Sequence, residues 1–317
     1  MLNLDFDHSK FSERKIFLGG ISCYLYNSDV LASYVQQLNG QPEAPDSIQI
    51  NVLYLIHHRG GDYTYMRGVA SKLLTQVSNS SDAPIIAVTF DTRNHGEREI
   101  EKLRNAGWKS KNETHAMDMV SCIDGGVQDI KLVMDYLGGY LNLERHLSRT
   151  LKDNGVKIQF NNILSGYSQG GHTVIRFGNK FPENVSIINP NIGCSDLSTL
   201  LINRLKETNT FDKKLFYSSY EELDLDDNQK ALYPEAFHNK LSVEDTQIFE
   251  DYPFKKIKLF ASFYDNDPLV PSAISKSWTD MYLNSNFDSQ VYYEEGCVHD
   301  ITEKMIDNFG AWLVKYI

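Results

Sequence analysis

The decisive stretch of this 317-residue sequence is Gly166-Tyr167-Ser168-Gln169-Gly170. A β-branched and apolar run leads into it at 156–164, and apolar residues spaced as in a helix follow it at 173–177. This order predicts a strand, a sharp turn and a helix, with the serine at the turn. The two glycines suit such a turn because it brings neighbouring backbone so close that Cβ atoms at these positions would collide.

The predicted helix start gives Ser168 a favourable chemical environment. Free N–H groups and the positive end of the helix dipole lie at a helix N-terminus. They stabilise the negative oxygen that forms during acyl transfer, and the Gln169 N–H is the expected donor. The stretch therefore predicts a nucleophilic serine rather than a plain glycine-rich turn.

The stretch resembles the nucleophile elbow of the α/β-hydrolase superfamily, whose serine hydrolases follow the chain order nucleophile, acid, histidine. The resemblance covers nearly the whole chain outside one inserted segment. It implies an α/β fold with a mostly parallel sheet of about eight strands and helices on both faces. It also implies an esterase, or a relative of the prolyl-oligopeptidase branch without the propeller of that branch.

Two later loops match the other members of the superfamily's triad. Asp267 precedes a Val-Pro pair at the acid position, and Asp265 is the competitor for that role. His299 follows the last predicted strand, where the catalytic histidine is expected. The implied mechanism is acyl transfer, in which His299 takes the proton of Ser168 and Asp267 orients the imidazole.

The loop after the predicted strand 47–56 reads His57-His58-Arg59-Gly60-Gly61 and resembles the His-Gly loop that supplies a second oxyanion donor. Arg59 is the expected donor through its backbone N–H, and His58 and Gly60 remain alternatives because a histidine replaces the usual glycine. We interpret the side chains of His57 and His58 as loop scaffolding.

The remaining pattern alternates predicted strands and helices. Predicted strands lie at 15–26, 47–56, 84–90, 185–189, 256–263 and 290–294, and predicted helices at 63–77, 197–205 and 301–316. The residues after Gly125-Gly126 predict a further amphipathic helix.

His115 and Asp118 have the spacing of metal ligands on one helical turn, but no third ligand is evident, so a metal site is not favoured.

Length and composition favour one catalytic domain over residues 1–317. The chain has 31 Lys+Arg against 42 Asp+Glu, a net charge of −11, and no basic cluster interleaved with aromatics. Nucleic acid and anionic membranes are therefore not expected partners. We expect a small-molecule ester-type substrate, no metal and no organic cofactor, and the oligomeric state is left open.

The start of the sequence and its cysteines bear on location. The first eight residues lack a basic start and a long apolar region, so we expect a cytoplasmic protein without membrane insertion. The four cysteines are widely scattered, which predicts buried reduced thiols rather than zinc ligands or disulfides: Cys23, Cys122, Cys194 and Cys297.

Residues 207–252 are the expected inserted cap. From 207 to 251 the chain has twelve acidic and four basic residues together with many aromatics, which is typical of a folded insertion. Caps are commonly inserted at this point in the superfamily, so we expect the segment to cover Ser168 and select the substrate. Its acidity favours a carboxylic ester with a neutral or modestly apolar acyl group. Thioester hydrolysis, small peptidase or amidase chemistry, and a non-catalytic ligand receptor are the alternatives.

Overall fold

The computed structural model describes residues 6–41, 45–78, 80–296 and 298–317, so Cys297 and the first five residues lie outside the described part. Within these ranges, eight strands form one sheet. The strands are β1 (Glu13–Leu18), β2 (Ile21–Tyr26), β3 (Ser47–Ile56), β4 (Ile85–Phe90), β5 (Lys157–Tyr167), β6 (Ile187–Asn191), β7 (Lys258–Tyr264) and β8 (Gln290–Glu294).

The sheet has the strand order β1-β2-β4-β3-β5-β6-β7-β8. The first two strands pair antiparallel, β2 pairs antiparallel with β4, and every later pairing is parallel. The carboxyl ends of β3 to β8 therefore meet at one edge, which is where open sheets of this kind bind ligands. The mostly parallel sheet expected from the sequence is confirmed.

The structure corrects the prediction of one continuous strand at 15–26. Residues 15–26 form two strands of a hairpin rather than one strand, because Gly19 and Gly20 both have positive φ values, 57° and 84°. Such a pair forms the tight turn whose twist matches that of antiparallel strands, and glycine adopts it without steric cost. Continuous apolarity across the glycines concealed the turn.

Helices lie on both faces of the sheet. They are α1 (Val30–Leu38), α2 (Tyr63–Val77), α3 (His115–Leu141), α4 (Arg149–Asp153), α5 (Gln169–Lys180), α6 (Leu197–Lys206), α7 (Asp227–Leu232), α8 (Glu235–Glu250), α9 (Lys276–Ser285) and α10 (Glu303–Leu313). One core cluster joins one sheet face to α1, α3, α5 and α9, and a second joins the other face to α2 and α10. The helices α1, α4, α7, α8 and α9 were not predicted, and α3 begins ten residues before Gly125 of the glycine pair that preceded the predicted helix. Among the described residues, none of the helices combines the length and apolarity that crossing a membrane requires.

The described cysteines are free thiols, with Cys23 and Cys194 buried. Cys122 is partly exposed, so the expectation of complete burial is wrong for this residue.

The segment 207–252 folds into α7, α8 and short 3₁₀ turns. Its apolar side chains, including Leu223, Tyr233 and Leu241, form a third core cluster with α6 and the first half of α3. Residues from the loop after β7, Val270 and Ile274, complete this cluster. The segment is therefore packed through apolar contacts against α3, α6 and the loop after β7, and it is folded as its aromatic content indicated.

A buried ion pair connects this segment to α5. Arg176 Nη2 donates to Asp245 Oδ1 at 2.5 Å, and the two side chains are 5% and 0% exposed. The second carboxylate oxygen of Asp245 accepts from the Ser198 N–H at 2.7 Å, which ties the start of α6 to the same group. One carboxylate on α8 therefore holds α5 and α6 together.

Replacing Asp245 by alanine tests this connection. Asp245→Ala leaves the Arg176 guanidinium buried without its close partner, so we expect the free energy of unfolding to fall by about 3–5 kcal/mol. Urea denaturation at neutral pH measures the change. The control is Asp153→Ala, which removes an exposed pair with Arg149 whose side chains are 70% and 95% exposed and should change stability little. Equal effects of the two substitutions would contradict a structural role for the buried pair.

Candidate active site

Ser168 lies at the sharp turn between β5 and α5. Its backbone has φ 51° and ψ −109°, a conformation that a residue other than glycine seldom adopts. The Ser168 N–H donates to the Asn191 carbonyl at 2.9 Å, at the end of the neighbouring strand β6. The turn therefore presents the serine at the carboxyl edge of the sheet, and the predicted strand, turn and helix are confirmed.

The two glycines of the turn are required by close backbone contacts. A Cβ on Gly166 would overlap the carbonyl of Gly170, and a Cβ on Gly170 would overlap the carbonyl of Ile56 at the end of β3. Because the overlapped atoms are backbone atoms, no side-chain rotation relieves the clash. The steric reason proposed from the sequence is therefore confirmed.

The structure brings Ser168, His299 and Asp267 into one hydrogen-bonded series. Ser168 Oγ lies 2.8 Å from His299 Nε2, and His299 Nδ1 lies 2.7 Å from Asp267 Oδ2. The carboxylate only accepts, so Nδ1 carries the imidazole proton and Nε2 is the acceptor for the serine hydroxyl. The other Asp267 oxygen accepts from the N–H groups of Leu269 and Val270 at 2.8 and 2.9 Å.

Burial differs along this series. The Asp267 side chain is 1% exposed and that of His299 is 14% exposed, whereas Ser168 is open to a cavity. Asp265, the competing acid, is exposed, and its N–H donates to the Glu294 carbonyl at 3.1 Å. The structure therefore places Asp267, and not Asp265, against the histidine.

Ser168 opens into a cavity of about 190 Å³, called here the serine pocket. Its lining residues come from seven parts of the chain, which are α3, α6, the Ser168 turn with α5, and the loops after β3, β6, β7 and β8: His58, Arg59, Met119, Ser168, Gln169, His172, Ile192, Arg204, Leu269, His299, Asp300 and Ile301. A larger cavity of about 540 Å³, called here the side chamber, shares Arg59, Arg204 and Leu269 with it. The two cavities are therefore adjacent, and these three side chains border both of them.

The two expected oxyanion donors both line the serine pocket. Gln169 is the first residue of α5, where a backbone N–H has no acceptor within its helix. Arg59 is the second residue of a turn that the Gly61 N–H closes on the His58 carbonyl at 3.0 Å, and such a turn does not use the N–H of its second residue. Both N–H groups are thus at positions where the local fold leaves them for a ligand.

The two histidines before Arg59 have different surroundings. His57 is buried, donates from Nδ1 to the His58 carbonyl at 2.7 Å and accepts from the Thr92 N–H at 2.9 Å, and burial lowers its pKa to about 3. This is the expected scaffolding. His58 instead lines the serine pocket, and neither of its ring nitrogens has a hydrogen-bond partner within the described residues. The scaffolding interpretation is therefore wrong for His58.

His115 and Asp118 point to different partners. His115 Nδ1 lies 3.2 Å from Arg59 Nη1, and burial together with nearby arginines lowers the pKa of His115 to about 3. Asp118 accepts from Thr114 and Asn112 at 2.8 and 3.0 Å. In the part of the chain that the structure describes, no group of three His, Cys, Asp or Glu side chains is placed to hold a metal ion.

The sequence did not indicate Arg204 or Leu269 as pocket residues. Arg204 lies in the last turn of α6, a predicted helix, but helical periodicity does not show which cavity a polar face borders. His172 accepts from the Cys194 N–H at 2.8 Å and also lines the pocket.

The segment 207–252 contributes one wall of the side chamber, with lining residues Glu207, Thr208, Asn209, Phe211 and Leu232. Its aromatic residues Phe216 and Tyr233 are instead buried in its own core. Of the acidic residues in this segment, only Glu207 lines either cavity within the described residues, and it pairs with Lys109 at 3.1 Å. The acidic character of the segment therefore hardly extends to the two cavities.

The architecture resembles that of several solved structures. The Thermus thermophilus protein TT1662 has a TM-score of 0.54 and 14% identity, over 96% of this chain and 97% of that chain. The Pyrococcus furiosus esterase Pf2001 has a TM-score of 0.52 and 14% identity, over 98% and 93%. The Paleococcus ferrophilus monoacylglycerol lipase has a TM-score of 0.50 and 12% identity, over 85% and 97%.

These likenesses, together with the sheet order, show that the chain has the α/β-hydrolase fold. Identities this low show the fold alone. No protein-family model matches the sequence, and no curated protein matches it.

Two glycine-to-alanine substitutions test whether the turn requires glycine for steric reasons. Gly170→Ala forces a Cβ onto the Ile56 carbonyl, so we expect it to destabilise the protein by about 1–3 kcal/mol, the usual cost of overpacking. Gly139→Ala is the control, because a Cβ there, on an exposed position of α3, meets no atom within 4 Å. It should stabilise by about 0.4–1 kcal/mol through the unfolded state. Thermal unfolding measures both, and a Gly170→Ala variant as stable as the parent would refute the steric argument.

Proposed function

We propose that this protein is a serine hydrolase that cleaves carboxylic esters through an acyl-enzyme on Ser168. The observation that carries the proposal is the series of hydrogen bonds from Ser168 Oγ through His299 to the buried carboxylate of Asp267, at the edge of an open pocket. A histidine oriented by a buried acid and bonded to a serine hydroxyl is the arrangement that general-base activation requires.

In the first half of the reaction, Ser168 Oγ attacks the ester carbonyl carbon and its proton moves to His299 Nε2. The Asp267 carboxylate, held by two backbone N–H groups, stabilises the imidazolium that forms. The N–H groups of Gln169 and Arg59 stabilise the negative carbonyl oxygen. Collapse of the tetrahedral intermediate breaks the ester C–O bond, and His299 gives its proton to the departing alcohol.

In the second half, a water molecule replaces the alcohol. His299 takes a proton from the water as its oxygen attacks the acyl carbon, and the same backbone donors stabilise the second tetrahedral intermediate. The bond from the acyl carbon to Ser168 Oγ then breaks, the serine recovers its proton from His299, and the carboxylic acid leaves. Every proton in this sequence moves through one imidazole.

The segment 207–252 serves as a cap in this proposal. Phe211 and Leu232 supply apolar wall to the side chamber, which lies next to the serine pocket. A wall of this kind contacts the substrate away from the reacting bond, so it selects among substrates through binding.

Labelling with a fluorophosphonate probe tests the nucleophile. The phosphorus electrophile reacts with a serine whose hydroxyl proton a neighbouring base removes, so we expect covalent labelling of the parent protein and none of Ser168→Ala. Intact-protein mass spectrometry measures the added mass. Absence of labelling in a folded parent protein would refute the hydrolase and favour a ligand receptor.

A pair of aspartate substitutions tests the acid. Asp267→Asn removes the carboxylate that holds His299 in the required tautomer, so we expect kcat for a 4-nitrophenyl ester to fall by about 10⁴-fold. Asp265→Asn is the matched control, since Asp265 is exposed and apart from the histidine, and it should retain most of the activity. If Asp265→Asn caused the larger loss with both variants folded, the acid would be assigned wrongly.

A further inference from the structure

Two arginines border both the serine pocket and the side chamber. Arg59 Nη1 lies 3.2 Å from His115 Nδ1. Arg204 Nη2 donates to the Leu269 carbonyl at 2.6 Å, and its Nη1 lies 3.8 Å from Met119 Sδ. Within the described ranges, these hydrogen-bond partners of the two guanidinium groups include no carboxylate.

Other arginines in this protein that are withdrawn from water have carboxylate partners. Arg176 pairs with Asp245 at 2.5 Å, and Arg98 pairs with Asp129 at 2.8 Å. Leaving a partly buried guanidinium without a counterion is costly because the charge loses hydration without compensation. The two pocket arginines therefore depart from the pattern of the rest of the chain.

The surroundings of these arginines preserve their positive charge. Burial and the positive charge of Arg59 lower the pKa of Arg204 to about 10, which still leaves it protonated at neutral pH. His115 has its pKa lowered to about 3, so it is neutral and its Nδ1 accepts from Arg59. A neutral histidine orients the guanidinium without cancelling its charge.

Two carboxylates near the pocket have other partners. Asp267 is bonded to His299 and to two backbone N–H groups. Asp300 accepts from the Ile301 N–H at 2.9 Å; burial lowers the pKa of His58, and the negative charge of Asp300 only partly opposes that shift. The arginine side of the pocket therefore keeps an excess of positive charge in a protein whose net charge is −11.

We infer that the substrate is an ester with a second, anionic group, a carboxylate or a phosphate, which Arg59 and Arg204 bind. This substrate class rests on the proposed function. The planar guanidinium donates two parallel hydrogen bonds to either oxyanion, which suits both groups. The side chamber continues beyond the two arginines and has room for the rest of the substrate.

Two esters of equal acyl length test the inference. Mono-4-nitrophenyl adipate and 4-nitrophenyl hexanoate differ only in a terminal carboxylate against a terminal methyl group. We expect the parent protein to favour the adipate by about 10- to 100-fold in kcat/KM, the range for hydrogen bonds to charged groups. Arg204→Met should reduce this preference by a similar factor. An analogue that ends in a phosphate shows which of the two anions is preferred.

Two further variants separate charge from structure. Arg204→Lys keeps the charge but loses the planar fork, so an intermediate preference is expected. Arg149→Met removes one positive charge from an exposed side chain and should leave both rates unchanged. An equal loss on both esters in Arg204→Met would show that Arg204 only supports the Leu269 carbonyl beside Asp267, and it would overturn the inference. Equal kcat/KM values for the two esters in the parent would overturn it as well.

Binding of adipate to Ser168→Ala, measured by calorimetry, tests the anion site without hydrolysis. We expect binding that weakens with salt and that weakens at least about 10-fold when Arg204→Met is added. If neither ester were hydrolysed and the fluorophosphonate did not label the parent protein, the proposed function would fail. The binding of adipate would still test whether Arg59 and Arg204 form an anion site. No binding of adipate or of inorganic phosphate would overturn the anion site.

Discussion

The close contact between the first turn of α5 and the end of β3 is the constraint on which the site depends. Gly170 meets the Ile56 carbonyl with no room for a side chain, and Ser168 in the same turn has a positive φ of 51°. Because β3, β5, β7 and β8 are parallel members of one sheet, the loops after them meet at the same edge. The serine, the acid, the histidine and the loop of Arg59 therefore converge through the topology.

The sequence predicted what depends on local spacing. The elbow was recognised because its strand, glycines and helix are adjacent in the chain, and α2 was predicted with its observed ends, Tyr63–Val77. The hairpin at Gly19 and Gly20 was missed because a two-residue turn inside a continuous apolar run leaves the periodicity almost unchanged. The approach of Ser168, Asp267 and His299 was predicted only through the resemblance, and the contact of Arg59 with His115, which no motif marks, was not predicted.

The charge around the two cavities is another property that the sequence could not predict. Composition correctly describes an acidic protein and an acidic segment at 207–252, but composition does not show where each charge lies. Most acidic side chains of that segment face away from both cavities, while Arg204 on the preceding helix borders them. Electrostatic recognition depends on the few charges within about one Debye length, roughly 8–10 Å in dilute salt, so the local charge outweighs the net charge.

The buried pair of Arg176 and Asp245 has a consequence for motion. Any swing of α8 away from the sheet would separate these two groups and expose the Ser198 N–H as well, at a cost of several kcal/mol. The segment 207–252 is therefore anchored to α5 and α6 through α8, its C-terminal helix. Four of its five side-chamber residues lie before α7, in the part of the segment that this ion pair does not hold.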